Sequence, residues 1–271
     1  MLRQLEELAK RHEQQENTPF VQHPNVKEGC GGLRDYQSLV WVTYAKKRIT
    51  DLSELVKEGL LDKRGWNELR RAYDFLLRVR NELHIHERRA QDVLTMKLQG
   101  PIATKLGYKG VRMTERIEAF MHDYYMHARN ILRQSSKLMD VFKLEVLEES
   151  ETRPGKKLIN LVLNAAEKLK PGSKSKEKEE RFDGFYSKHN RIFAEGKDTF
   201  KDDPTRLMKL FLYTQQRRLR IAPDLCDMIS NTSLVGREFM YSKTVRETFE
   251  AIISAKGDVA RVLRQMHRVE F

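Results

Sequence analysis

Only two cysteines, Cys30 and Cys226, occur in the 271 residues, far apart and without a CxxC partner. That spacing excludes a disulfide framework and argues against a zinc site, leaving buried or incidental thiols. No apolar run approaches the roughly 20 residues that a membrane helix needs, so no membrane partner is expected. The opening MLRQLEELAKRHEQQEN is a charged amphipathic stretch without the apolar centre of a secretory leader, and cytoplasmic residence is the expectation. There is no GxSxG, no Walker-type loop and no Cys-His arrangement for nucleophilic catalysis.

What is abundant is charge. Charged residues make up 33% of the chain, the net charge is +12 and the pI is near 9.6. Such a balance suits an anionic partner: nucleic acid, a nucleotide or an acidic protein surface. Much of the charge is nevertheless interleaved with acids, as in RHEQQE and KSKEKEER, a pattern of solvated helix faces, and no nucleic-acid reading motif accompanies it. Nucleic-acid binding is therefore not the leading expectation. A basic helical scaffold or nucleic-acid-binding protein without catalysis stands as the alternative.

Hydrophobic periodicity predicts a mainly α protein. Leu33, Tyr36, Leu39, Val40 and Thr43 repeat at helical spacing. Asp62 starts a long helix with Trp66, Leu69, Tyr73, Leu76, Leu77, Val79 and Leu83 as its apolar positions, and Thr114 opens another through Ile117, Phe120, Met121, Tyr124, Tyr125, Ala128 and Ile131. Long amphipathic helices with short connections argue for an antiparallel bundle. PFVQHPNVKEG reads as a short extended segment, and residues 148–181, with both Pro-Gly dipeptides, as a charged linker around LINLVLNAAEKL. FDGFYSKHNRIFAEG suggests a small stranded element, after which helical periodicity returns.

Three places could carry chemistry. In HPNVKEGCGGLRD, Gly29, Gly31 and Gly32 permit a tight turn into a helix whose N-terminus could bind an anion or simply connect two elements. His84 and His86 are two apart and share no helix face, so hydrogen bonding is favoured over a metal site. The adjacent His122 and Asp123 point about 100° apart and would need distant help to hold a metal, so no metal ligands are assigned.

The string RHEQQENTPFVQHPNVKEGCGGLRDYQSLVWV resembles the EPNxKEGxGGLRDxQ segment of the bacterial protein-PII uridylyltransferase/uridylyl-removing enzyme family. Lys27, Glu28, Gly29, Gly31, Gly32, Leu33, Arg34, Asp35 and Gln37 match, while His23 and Cys30 depart from the usual Glu and Pro. FLLRVRNELHIHERRAQDVLTMKLQGPIATKLGY, with Arg80 and His84, and AFMHDYYMHAR, with Asp123, are similar to two further family motifs in the same order. Beyond them, DPTRLMKLFLYTQQRRLRIAPDL and VLRQMHRVEF look like the helical stretch before that family's HD phosphohydrolase domain. Glutamine-synthetase adenylyltransferases have a similar GxGGIRxIE string.

The resemblance implies a central fragment of a nucleotidyltransferase. Its expected parts are 1–31 as the C-terminal edge of the nucleotidyltransferase domain, 32–147 as a helical bundle of substrate-binding type, 148–181 as a linker, and 182–271 as a helical region preceding an absent HD domain. The catalytic aspartate pair would lie upstream and the HD motif downstream. The reaction implied is UMP transfer from UTP to a tyrosine of a PII signalling protein in nitrogen regulation, with Mg²⁺. Lys27, Gly29, Gly31, Gly32 and Arg34 become candidates to lie near the nucleotide, with residues 26–28 as the last strand of the catalytic sheet. Asp35 becomes a supporting residue, either for the metal site or as a lock on Arg34. Arg80, His84 and Asp123 are the family-motif residues on the helices.

Overall fold

The longest buried faces belong to two helices that the hydrophobic spacing already marks. In the computed structural model, which describes residues 2–14, 18–152, 179–230, 235–269 and 271, α4 spans Lys63–Glu87 and α6 spans Met113–Thr152. Asp62 caps α4 by accepting a hydrogen bond from the Gly65 amide at 2.8 Å, and Arg88, in the left-handed region at φ 52°, ends it. Leu69, Leu76, Val79 and Leu83 of α4 are buried together with Phe120, Ala128, Ile131 and Phe142 of α6. Glu68 pairs with Arg133 near one end, while Phe75 packs on Phe120 and His127 further along. The two helices are therefore antiparallel, as expected.

Around this pair lie α1 (Leu2–Gln14), α2 (Leu33–Lys47), the single-turn α3 (Glu54–Lys57) and α5 (Met96–Lys105). They belong to the first of two compact units, Met1–Ala166. One expectation changes here. Residues 26–28 form a turn rather than a strand, and the extended character of this segment is limited to a single antiparallel bridge between Asn25 and Val93. The Lys27 and Glu28 amides donate to the Asn25 side chain within the turn, and only the Val26 amide reaches across, to the Asp92 carbonyl. Residues 148–152, placed in the predicted linker, continue α6, their Glu-rich sequence being compatible with helix. LINLVLNAAEKL lies outside the described residues.

The second unit, Glu167–Phe271, holds a four-stranded sheet in the order β1-β2-β3-β4. Strands β1 (Glu180–Phe182), β2 (Phe185–Lys188) and β3 (Arg191–Ala194) are antiparallel neighbours, and β4 (Arg220–Ile221) pairs parallel to β3. Both hairpins turn through two positive-φ residues, Asp183-Gly184 and His189-Asn190, whose twist matches that of the strands. The crossover between β3 and β4 contains α7 (Thr199–Asp202) and α8 (Arg206–Gln216). Next come α9 (Pro223–Ser230), α10 (Arg237–Tyr241), α11 (Lys243–Ser254) and α12 (Val259–Arg268). Phe185, Ile192, Leu207, Phe211, Ile252 and Val262 form this unit's core. The chain is mainly α, with twelve helices among the described residues.

Candidate functional site

The glycine-rich turn is closed by its own backbone. Asn25 Oδ1 accepts from the amides of Lys27 and Glu28 at 3.0 and 2.8 Å, and the Gly29 amide donates to the Asn25 carbonyl at 2.9 Å. Gly32, Leu33 and Arg34 donate to the carbonyls of Gly29, Val26 and Lys27. The Gly31 amide donates to Asp35 Oδ2 at 2.7 Å. These amides are committed inside the turn, so the turn works as a connection and does not present its N–H groups to an anion.

Close approach explains why glycine is needed. A Cβ on Gly31, which has φ +73°, would sit 1.9 Å from the Ala128 carbonyl oxygen of α6. One on Gly29 or Gly32 would meet the carbonyl of Asn25 at 2.5 Å or of Lys27 at 2.7 Å. The turn is thus pressed onto the bundle.

Side chains then gather on it. Asp35 is fully buried and pairs with Arg11 and with His12 Nε2, 2.8 Å away. Burying a carboxylate is tolerable only with such partners. Within RHEQQE, Arg11 and His12 depart from the solvated face that the composition suggested, being only 15% and 14% exposed, whereas Glu13 and Gln14 are exposed. Arg34 points elsewhere: its guanidinium donates to Glu28 Oε1 at 3.2 Å and lies 5.8 Å over the Trp41 ring. Asp35 locks Arg11 and His12 in place, whereas Arg34 is held by Glu28.

Lys27 joins the turn to α4. Its ammonium lies 3.7 Å from Glu28 and 4.0 Å from Asp92. Asp92 accepts from Arg80 at 2.6 Å and pairs with His84 Nε2 at 3.2 Å. Burial opposes ionisation of Asp92, but the hydrogen bonds from Arg80 and His84 and the charges of Arg80 and Lys27 hold its carboxyl below the ordinary value. The Val26 amide donates to the Asp92 carbonyl at 2.8 Å, and Leu94 donates to Pro24 at 2.9 Å. The turn motif and the helix motif containing Arg80 and His84 are in this way one site. It contains Arg11, Lys27, Arg34 and Arg80 against Glu28, Asp35 and Asp92, a surplus of one cation before either histidine is counted.

Asp123 is not part of this cluster. It accepts from the Tyr108 hydroxyl at 2.7 Å and lies 3.3 Å from His122 Nδ1, so it ties the end of α5 to α6. With Phe75, Arg78 and His127 it lines a separate cavity of about 320 Å³. Burial pushes the His127 imidazole down, toward its neutral form. Cys30, beneath the turn, has its thiol pushed up to about 12 by burial and then by the Asp35 charge, which removes it as a nucleophile.

Sequence reasoning missed Arg11, His12 and Asp92 as members of the site. Asp92 could have been found, since it stands in the RAQDVL portion of the quoted helix motif. The pairing of Arg11 and His12 with Asp35 spans 24 and 23 residues and leaves no local signal.

Among the described residues no group of three or more His, Cys, Asp or Glu side chains could hold a metal ion. No helix is long and apolar enough to cross a membrane among them.

Comparison with known proteins accords with the geometry. A family model described as GlnD PII-uridylyltransferase matches residues 1–139, the span that contains the whole cluster, and one described as Uridylyltransferase GlnD third domain matches residues 185–271. A bifunctional uridylyltransferase/uridylyl-removing enzyme of Bradyrhizobium diazoefficiens is 30% identical over 264 residues, covering 97% of this chain and 27% of the relative. The enzyme of the same name from Cereibacter sphaeroides is 32% identical over 267 residues, covering 98% of this chain and 27% of its own. No solved structure matches. The chain spans about a quarter of the length of these relatives, and within that span it belongs to the GlnD PII-uridylyltransferase family.

Proposed function

We propose that this chain serves as the helical substrate-binding and interdomain part of a bifunctional uridylyltransferase/uridylyl-removing enzyme. The whole reaction on this reading is transfer of UMP from UTP to a tyrosine of a PII protein, with removal of UMP by an HD phosphohydrolase domain elsewhere in a longer polypeptide. The observation that supports it is the cationic rim of the turn: Lys27 and Arg34 are each about one-third exposed, on a scaffold fixed by the buried Asp35. Their place in that reaction is to balance the charge of the UTP triphosphate, Arg34 by a forked guanidinium and Lys27 by a mobile ammonium.

Mg²⁺, which this transfer would use, does not fit the described residues. Asp35 has its oxygens taken by Arg11, His12 and the Gly31 amide, and Glu28 and Asp92 are each ion-paired. The metal-binding carboxylate pair is assigned to another part of the polypeptide, and no step here passes through the ion. Asp35 is a positioning residue, holding the turn and α1 so that Lys27 and Arg34 keep their places.

The test is a transfer assay on the native polypeptide from cell extract, with labelled UTP and a PII protein as acceptor. A species well above 32.0 kDa that labels a PII tyrosine is expected. A native species of 32.0 kDa that labels nothing would overturn the proposal.

A further inference from the structure

The cavity beside Asp123 takes no part in the function proposed above. It measures about 320 Å³, and its walls come from three helices: Phe75 and Arg78 of α4, Leu106 and Tyr108 just past the end of α5, and Asp123 and His127 of α6. Spacings of three and four bring each helix's pair to one face. The rings are fixed before any ligand arrives. Phe75 lies 4.4 Å from His127, and Phe75 and Tyr108 both pack on the fully buried Phe120. A preformed hollow with apolar walls and a few polar groups is the ordinary form of a small-ligand site.

Charge in the cavity has one sign. Arg78 is 63% exposed and pairs with Asp74 at 3.0 Å along the outer side of α4. One oxygen of Asp123 takes the Tyr108 hydroxyl at 2.7 Å, and the other has only the exposed His122, 3.3 Å away. A carboxylate can accept more bonds than these. Burial holds the His127 imidazole toward its neutral form and pushes the Tyr108 hydroxyl up, so neither adds a charge at neutral pH. On both groups the Asp123 carboxylate acts more strongly than the Arg78 guanidinium. The cavity is thus locally negative in a chain whose net charge is +12. His127 also has an unmet need, because its Nδ1 is buried and has no hydrogen-bond partner among the described residues.

We infer that this cavity is a binding site for an alkylammonium group, with the ammonium on Asp123 and its methylenes along Phe75 and Leu106. The rings of Phe75, Tyr108 and His127 favour a cation between them. An N–H donor is the kind of partner that a neutral imidazole nitrogen lacks. A metal ion suits the cavity less, because hard cations need several oxygen ligands and Asp123 is the one carboxylate in its lining. An anion would be repelled by the same carboxylate. The ammonium can come from a free amine or from a lysine side chain of a partner protein, and the chemistry of recognition is the same for both.

Imidazole NMR of the 271-residue chain, titrated with putrescine, tests the site. The His127 signals are expected to shift to saturation, while those of His12 and His84 in the turn cluster stay in place. Asp123→Asn keeps an oxygen for Tyr108 and should weaken binding by about tenfold or more, the effect of losing a charge-assisted contact. Arg78→Gln, at an exposed position, should tighten binding several-fold by removing the opposing charge. Structural damage would not move the two variants in opposite directions. Nα-acetyl-lysine amide in place of putrescine tells the sources apart: tighter binding of the blocked lysine assigns a partner's side chain, tighter binding of the diamine a free amine, and either supports the site. The absence of a saturable shift with both compounds overturns the inference. So does saturation by acetate, or an affinity for putrescine that Asp123→Asn and Arg78→Gln both leave unchanged or both lower.

Discussion

Each unit pins a glycine turn with an aspartate, and the two do so in opposite ways. In the first, Asp35 is fully buried against Arg11, His12 and the Gly31 amide, and Gly31 faces the backbone of α6. In the second, Asp183 is 28% exposed, accepts from Tyr213 at 2.8 Å and Arg206 at 3.1 Å, and closes the β1-β2 hairpin from the rim. The atoms nearest a Cβ on Gly184 would belong to side chains, the Arg206 guanidinium at 3.1 Å and Thr199 Cγ2 at 3.3 Å. A side chain can move aside where a helix carbonyl cannot, so the first turn is brittle and the second forgiving. The brittle turn is the one that places the partly exposed cations Lys27 and Arg34.

The sharpest break of this contrast is deletion of the two aspartates. Asp35→Ala leaves Arg11 buried without its carboxylate and is expected to cost about 3–5 kcal/mol, seen as loss of the first unit's cooperative unfolding. Asp183→Ala, at the rim, should cost only about 1 kcal/mol by the same melt. Next come the glycines. Both glycines have a left-handed backbone, but Gly31→Ala adds overlap on the Ala128 carbonyl and should cost about 3 kcal/mol or more, against about 1 kcal/mol for Gly184→Ala, both by denaturant titration.

Acid resolves a smaller difference. The carboxyl of Asp92 is depressed in the folded state, so its contribution is fully present above the ordinary value of 3.8 and is lost as pH falls through the lower folded value. Arg80→Met removes one of the donors that depress it. The expected result is a flatter acid limb below the ordinary value for the first unit, followed by hydrogen exchange, with the second unit's Asp203, held by Thr205 and Lys209, unaffected. The smallest effect is chemical. Native alkylation at neutral pH should label the partly exposed Cys226 well before Cys30, whose thiol is pushed up to about 12, as peptide mapping would show.

These regions differ as well in what could be read from their sequence. The helices α4 and α6 were legible because apolar spacing and a capping Asp62 are local signals. The glycine turn was legible as a turn, but its reason was not, since Ala128 approaches from nearly one hundred positions away. The role of Asp35 was half legible: it is a lock, yet on Arg11 and His12 of α1 rather than on its neighbour Arg34. Two motifs proved to be one site through Asp92, whereas Asp123, equally prominent in the sequence, is spent on Tyr108. Strand β4, two residues long, exists only because β3 offers it a parallel edge, and no periodicity can announce so short an element.

Substrate kinetics with the two rim cations removed test the central claim most directly. In the longer polypeptide, Lys27→Ala combined with Arg34→Ala should raise the KM for UTP by about tenfold or more, the effect of losing charge-assisted contacts. The melting temperature should stay close to that of the parent, and Arg64→Ala on the outer face of α4 should leave the KM unchanged. An unaltered KM for UTP in the double variant would contradict the account.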